Sequence, residues 1–220
     1  MIIQDNAWCK ITPEQYDAHM SHLAVAQTQA LNRITREQLE LLPVERRPGS
    51  TAAILGITNG NGLEHVLPLD IGAVIGIDIN EPFLDECRAR YPEVRQRLRL
   101  YALDLTRDTD EASALLSGCD LIIANLLIKH IGLDIFMRIV DGLPRHGQIV
   151  SCVIQVDPDG TALSHSGYEH VFTGVSRQRA DESEASVVPA METAGFAPTG
   201  RFVYDLPNGK QFVRMDFAAQ

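Results

Sequence analysis

The 220-residue sequence predicts a three-layer α/β sandwich whose mainly parallel, seven-stranded sheet ends in a C-terminal antiparallel hairpin. Three observations predict it. Apolar runs recur at the spacing of βαβ units from residue 52 onward, helical periodicities fill the intervals, and Asn208-Gly209 joins two alternating segments near the C-terminus.

Residues 1 to 46 read as a helical lead-in. Thr12 caps a segment opened by Pro13 and Glu14, and Tyr16, Met20, Leu23, Ala26, Ala30 and Leu31 continue near helical spacing. A further helix is expected over Ile34 to Leu42. Trp8, Tyr16 and Met20 read as packing residues of these helices, with a lid over a site as the second role. Arg46-Arg47-Pro48-Gly49-Ser50 is a linker with breakers, so the main domain covers residues 47 to 220. Strands are expected near 52 to 57, 73 to 79, 98 to 105, 119 to 126 and 147 to 156. Asn80-Glu81-Pro82 caps a helix to about Arg90, Thr109-Asp110-Glu111 opens another, and Ile131 to Leu143 carries Ile131, Ile135, Ile139 and Val140 on one face. A polar insert over Asp157 to Glu184 holds His165, Tyr168, His170, Arg177 and Arg179. A short helix from Pro189 to Ala194 leads to the hairpin strands Arg201 to Leu206 and Gln211 to Phe217.

A net charge of −10, with no Lys/Arg stripe, opposes a phosphate backbone and makes small molecules the expected partners rather than nucleic acid. Cys9, Cys87, Cys119 and Cys152 have neither Cys-x-x-Cys spacing nor close His partners, so core thiols in a reducing compartment are expected and a metal site is not. The N-terminus has no basic leader and the apolar runs are too short to span a bilayer, which predicts a cytoplasmic protein without membrane contact.

Chemistry concentrates in Ala52 to Glu64, AAILGITNGNGLE. An apolar strand runs into Gly56, Gly60 and Gly62 and then into a helix-like Leu63 to Leu67, the order of a nucleotide cradle. Later runs end in Asp78, Asp104 and Asn125, at strand ends where open α/β sheets hold ligands. Each also has a plainer reading: Asp78 as a helix cap, Asp104 as a turn acid before Thr106-Arg107-Asp108, Asn125 as a residue bonded to its own backbone.

These pieces, in this order, resemble the class I S-adenosylmethionine-dependent methyltransferases, and GNGLEH resembles the loop of bacterial members. The resemblance covers about Ser50 to the C-terminus and implies a Rossmann-like fold, S-adenosylmethionine as cofactor with S-adenosylhomocysteine as product, and a small-molecule acceptor. It sets Gly56, Ile57, Thr58 and Gly60 beneath the methionine part, Asp78 with Ile79 at the ribose, Asp104-Leu105 beside the adenine, and Asn125-Leu126 in the motif after the fourth strand. His130 is then the candidate general base near the transferred methyl, its plainer reading being a surface or capping histidine. A sulfonium methyl leaves readily, so the chemistry asks for positioning more than for a catalytic cluster. The N-terminal helices and the insert are expected to select the acceptor. Ile54 stands where the family carries an acid, and Thr58 where its loop carries a glycine.

Two other classes fit parts of the sequence. A short-chain dehydrogenase using NAD(P) shares the spacing of Gly56, Gly60 and Gly62. It needs Tyr-x-x-x-Lys, and none of Lys10, Lys129 and Lys210 follows a tyrosine at that distance. A cofactor-binding protein of the methyltransferase fold without turnover is the third reading, prompted by Ile54 and Thr58.

Overall fold

Side-chain alternation along the first strand, β1 (Thr51–Leu55), divides the molecule into layers. Ala53 and Leu55 enter one apolar cluster, while Ala52 and Ile54 enter another on the opposite face. The computed structural model describes residues 6–22, 26–144, 147–157, 169–176 and 183–220. Beside β1 lie β2 (Ala73–Asp78), β3 (Leu98–Ala102), β4 (Leu121–Asn125) and β5 (Ile149–Val156), followed in the chain by β6 (Phe196–Asp205) and β7 (Gln211–Ala219). The sheet order is β3-β2-β1-β4-β5-β7-β6. The first five strands are parallel, and β7 runs antiparallel between β5 and β6. This is the sheet the sequence predicts. A dinucleotide-binding dehydrogenase has six parallel strands in the order 3-2-1-4-5-6, so the inserted antiparallel β7 removes the short-chain dehydrogenase reading.

One face is covered by α2 (Gln27–Leu39) and α3 (Glu81–Arg90), which contribute Leu39, Leu84 and Cys87 to its core. The other carries α4 (Thr109–Leu116), α6 (Leu133–Asp141) and α8 (Glu184–Thr193), with Leu116, Phe136, Ile139 and Met191 against the strands. Phe136 is fully buried, so truncation to alanine should cost roughly 3–5 kcal/mol.

Several elements depart from the sequence reading. The expected helix over Ile131 to Leu143 is divided into α5 (Ile128–Ile131) and α6 by Gly132, whose left-handed φ of 88° ends one helix and starts the next. α8 starts five residues before Pro189, because Ser183 and Ser186 form a capping box and Val187 and Met191 anchor the buried face. No α-helix follows the glycine loop: Leu63–His65 is a single 3-10 turn, so a helix dipole contributes nothing there. Strand β6 begins at Phe196 rather than Arg201, paired with β7 through an irregularity at Pro198/Gly200. None of the four cysteines is in a disulfide; Cys87, Cys119 and Cys152 are buried as expected, whereas Cys9 is half-buried. No helix among the described residues is long and apolar enough to cross a membrane.

Candidate functional site

The carboxyl ends of β1 to β4 open into one cleft. Gly56, Thr58, Asp78, Ile79, Asp104, Leu105, Thr106, Asn125, Leu126 and His130 line its floor. Its roof is made of Trp8, of Tyr16, His19 and Met20 from α1 (Pro13–Met20), of Gln27 and Leu31 from α2, and of Phe172 and Val175 from α7 (Glu169–Ser176).

The glycine loop is folded by β2 and divided in its loyalties. The N–H groups of Gly56 and Ile57 both donate to the Ile77 carbonyl, at 2.8 and 3.1 Å. Gly56 (φ 69°) turns the chain out of β1, and a Cβ there would sit 3.3 Å from Leu127 Cδ1. Thr58 is also left-handed (φ 50°), a strained conformation for a β-branched residue. Its N–H donates to Asp78 Oδ2 at 2.9 Å, and its hydroxyl hydrogen-bonds Tyr16. Burial pushes the Tyr16 phenol up to about 12. Ile57 and Gly60 do not line the cleft. Ile57 is core, packed where a Cβ on Gly76 would stand, and a Cβ on Gly60 would meet Cys87 Sγ at 2.7 Å. Gly62 likewise faces Thr35. The asparagines between them serve the roof: Asn59 Nδ2 donates to Asp17 of α1, and Asn61 Nδ2 donates to the Thr28 carbonyl of α2 at 2.9 Å.

Asp78 is 8% exposed. Its Oδ1 accepts the Asn80 N–H and its Oδ2 the Thr58 N–H, each at 2.9 Å. Burial raises its carboxyl from the ordinary 3.8 to about 6, an effect that the main-chain N–H donors only partly offset. Asn80 occupies the N-cap position of α3, yet its side chain does not cap the helix. Its Nδ2 instead donates to the Trp8 and Ile11 carbonyls at 2.8 and 2.9 Å, pinning the N-terminal turn that carries Trp8 over the cleft.

Asp104 takes part in both of its readings. It lines the cleft, and its Oδ1 also closes a local turn by accepting from Thr106 N at 3.0 Å and Thr106 Oγ1 at 2.7 Å. Asn125 pairs reciprocally with Gln38 of α2, both bonds 2.9 Å, so its amide is committed to the layer below. From Gln38 a buried polar chain runs to Ser151 (2.8 Å), Asp216 (2.6 Å from Ser151) and Arg214, whose Nη2 lies 2.7 Å from Asp216. Arg214 Nη1 also reaches Glu37 at 3.0 Å, fixing α2 to the hairpin. Leu126, left-handed at φ 57°, donates its N–H to the Val153 carbonyl at 2.8 Å.

His130, on α5, presents its ring edge-on to Trp8, centroids 4.9 Å apart at 84°. His170 is exposed and does not line the cleft; His165, Tyr168, Arg177 and Arg179 lie outside the described residues. Sequence reasoning missed His19, Gln27, Gln38, Asn80 and Phe172. Only Phe172 left a signal, as an apolar pair with Val175 three residues on inside a polar insert. Ile54 lies in the apolar layer and brings no acid to the cleft.

No protein-family model matches the chain, and no curated protein sequence does. Solved structures do. Magnesium protoporphyrin IX methyltransferase (ChlM) from Synechocystis PCC 6803 with bound SAM superposes with a TM-score of 0.59 at 14% identity, over 89% of this chain and 81% of that one. A geranyl diphosphate methyltransferase in complex with GPP and sinefungin gives 0.62 at 14% identity, over 87% and 78%. The pyocyanin biosynthetic protein PhzM gives 0.56 at 16% identity over 87% of this chain, which spans 56% of that protein's length. At these identities the likeness is one of architecture, and with the strand order and the cleft it leads to one conclusion: the chain has the class I S-adenosylmethionine-dependent methyltransferase fold.

Proposed function

We propose that this chain is a methyltransferase that uses S-adenosylmethionine, with S-adenosylhomocysteine as product, to methylate a small-molecule acceptor. One observation carries the reading: Asp78 ends β2 buried and lining the cleft, with main-chain N–H groups as its partners and no ion pair among the described residues. A carboxylate so placed costs stability and suits a ligand that brings its own donors. Each of its oxygens keeps a lone pair beyond the N–H it accepts, which fits the two ribose hydroxyls of the cofactor. Gly56 leaves bare backbone in the cleft, and Ile79, Leu103 and Leu105 supply apolar surface for an adenine ring. The residues therefore fit the cofactor. At its methionine end Ile54 gives no carboxylate, so loop carbonyls or water meet the amino group.

Bound, the cofactor supplies an activated methyl. The chain's own part is to hold donor and acceptor together and keep water out, for which the roof over the strand ends is suited. Residues 1 to 46 act as the lid, with Asn80, Asn59 and Asn61 as its fastenings. His130 is the candidate proton acceptor, and His19 lines the same cleft. The acidic chain and its cysteines outside any disulfide fit the cytoplasm.

Calorimetric titration with S-adenosylmethionine, S-adenosylhomocysteine and NADPH tests the reading, followed by label transfer from methyl-labelled cofactor to a metabolite panel. Binding of the first two and not NADPH is expected. No binding of either sulfur compound refutes the proposal, and binding without turnover on any acceptor would make the chain the non-catalytic member of the fold.

A further inference from the structure

The strand ends divide the cleft into two chemically different halves. Asp78 and Asp104 belong to the β2 and β3 side of β1, while Lys129 and His130 follow β4 on the other. Over the second half four elements each contribute a ring: Trp8 from the N-terminal turn, His19 from α1, His130 from α5 and Phe172 from α7. Phe172 lies 4.5 Å from His19 at 32°, and Trp8 meets Phe172 edge-on at 6.4 Å and 74°. The two large apolar clusters around the sheet are built mostly from Leu, Ile, Val and Ala. Phe83, Phe136, Phe196, Phe212 and Phe217 are buried in the core, whereas Trp8 and Phe172 line the cleft together with the two imidazoles.

We propose that this half of the cleft binds a planar aromatic acceptor, neutral or anionic, that carries a hydroxyl or ring N–H. The inference rests on the cleft being that of a methyltransferase. Aromatic walls reward a flat ring with stacked and edge-on contacts that a puckered ring of equal size cannot make. The imidazoles of His19 and His130 offer hydrogen-bonding nitrogens to an O–H or N–H. A fixed positive charge is disfavoured, because the lining carboxylates lie on the other side and the described cation on this side is Lys129.

Trp8 is the only tryptophan of the chain, so its indole N–H gives one NMR resonance that reports from the chamber. With S-adenosylhomocysteine saturating by calorimetry, the protein is titrated with 1-naphthol, decahydro-1-naphthol and trimethyl(1-naphthyl)ammonium. The expected result is that 1-naphthol shifts the Trp8 resonance and binds at least about tenfold more tightly than either comparator, in line with the worth of aromatic pair contacts. Phe172→Leu should weaken 1-naphthol roughly five- to tenfold and leave S-adenosylhomocysteine unchanged within about twofold. Equal or tighter binding of the saturated alcohol or the ammonium, or an unmoved Trp8 resonance, overturns the inference. The wild-type series decides this even if the variant does not fold. Failure of S-adenosylhomocysteine to bind at all instead strikes the functional reading itself.

Discussion

Replacing Asp78 with asparagine should separate what this residue costs the fold from what it gives the cleft. Its carboxyl is raised from 3.8 to about 6, chiefly by burial, which corresponds to roughly 3 kcal/mol held against the ionised folded state at neutral pH. The sign follows from the direction. A folded-state value above the unfolded one means that stability is fullest below the unfolded value and is lost as pH rises through the folded value. Asp78→Asn abolishes that loss but turns an amide N–H₂ toward one of the two main-chain donors, at a cost of about 1–3 kcal/mol. Net stability at about pH 7 should therefore change little, and the pH dependence should change clearly. Between about pH 5 and pH 7 the wild type should lose about 1–1.5 kcal/mol that the variant keeps, read by urea denaturation of both proteins side by side. Cofactor affinity should move oppositely. Hydroxyl donors prefer the carboxylate, so S-adenosylhomocysteine should bind the wild type roughly tenfold more weakly at about pH 5 than at pH 7. The variant should bind weakly and without that slope. Parallel stability profiles for the two proteins would refute the burial argument, and a pH-independent wild-type affinity would take Asp78 out of the ligand's reach.

Thr58→Gly should exceed Thr58→Val in stability by about 1–2 kcal/mol in denaturant titrations, because glycine escapes the left-handed strain that valine keeps; valine equal to glycine would mean that φ is not positive in solution. Arg214→Met should cost about 3–5 kcal/mol by leaving Asp216 buried and unpaired, and Arg214→Met with Asp216→Leu should recover most of it; a double variant no better than the single would refute the pairing. Asn80→Ala should release the N-terminal turn, shifting Trp8 emission to the red in native buffer while global unfolding changes by less than about 1 kcal/mol, and unchanged emission would show that the turn is held by packing alone.

The sheet was legible because its signals are local. Strands β1, β2 and β4 are short, mostly buried apolar runs, the last two ended by Asp78 and Asn125, and Asn208-Gly209 marks the hairpin, with Gly209 at φ 79°. The positions around the cleft were legible for the same reason: Gly56, Thr58, Asp78, Asp104 and Asn125 all come at or just after strand ends. Which of them faces a ligand was not. Loop residues have no periodicity to assign direction, and Gly60 and Gly62 turn toward Cys87 and Thr35 instead. Asn125 read as part of the motif after the fourth strand or as bonded to its own backbone, yet its partner Gln38 lies 87 positions earlier. Asn80 carried the signature of a cap, and only the folded chain brings the Trp8 carbonyl to it from 72 positions away. Gly132 was read through because the apolar spacing on both sides of it continues in phase.

Among the buried carboxylates of the described residues, Asp78 is the one whose charge the protein itself leaves unmatched by a cation. Asp216 is 1% exposed and held by the Arg214 guanidinium at 2.7 Å and the Ser151 hydroxyl at 2.6 Å, so its charge is matched inside the protein and it can serve to lock α2 against the hairpin. Asp104 spends one oxygen on the turn to Thr106 and has Arg107 3.7 Å from the other, an exposed guanidinium that contributes little beyond bias. Asp78 is nearly as buried as either and has neither kind of help. Among the described residues no cation pairs with it, and its hydrogen bonds come from main-chain N–H groups, two of them at the strained loop of Thr58 and the turn at Asn80. A residue left this way weakens the apo protein, and buried carboxyls with shifted pKa values cluster at functional sites. A pair of hydroxyls on that carboxylate, as the proposed function has it, would add the donors that burial withholds and lower its pKa. The same contact would stabilise the loop and the roof attached to it. On the proposed function, cofactor binding and ordering of the roof would be parts of one equilibrium, centred on Asp78.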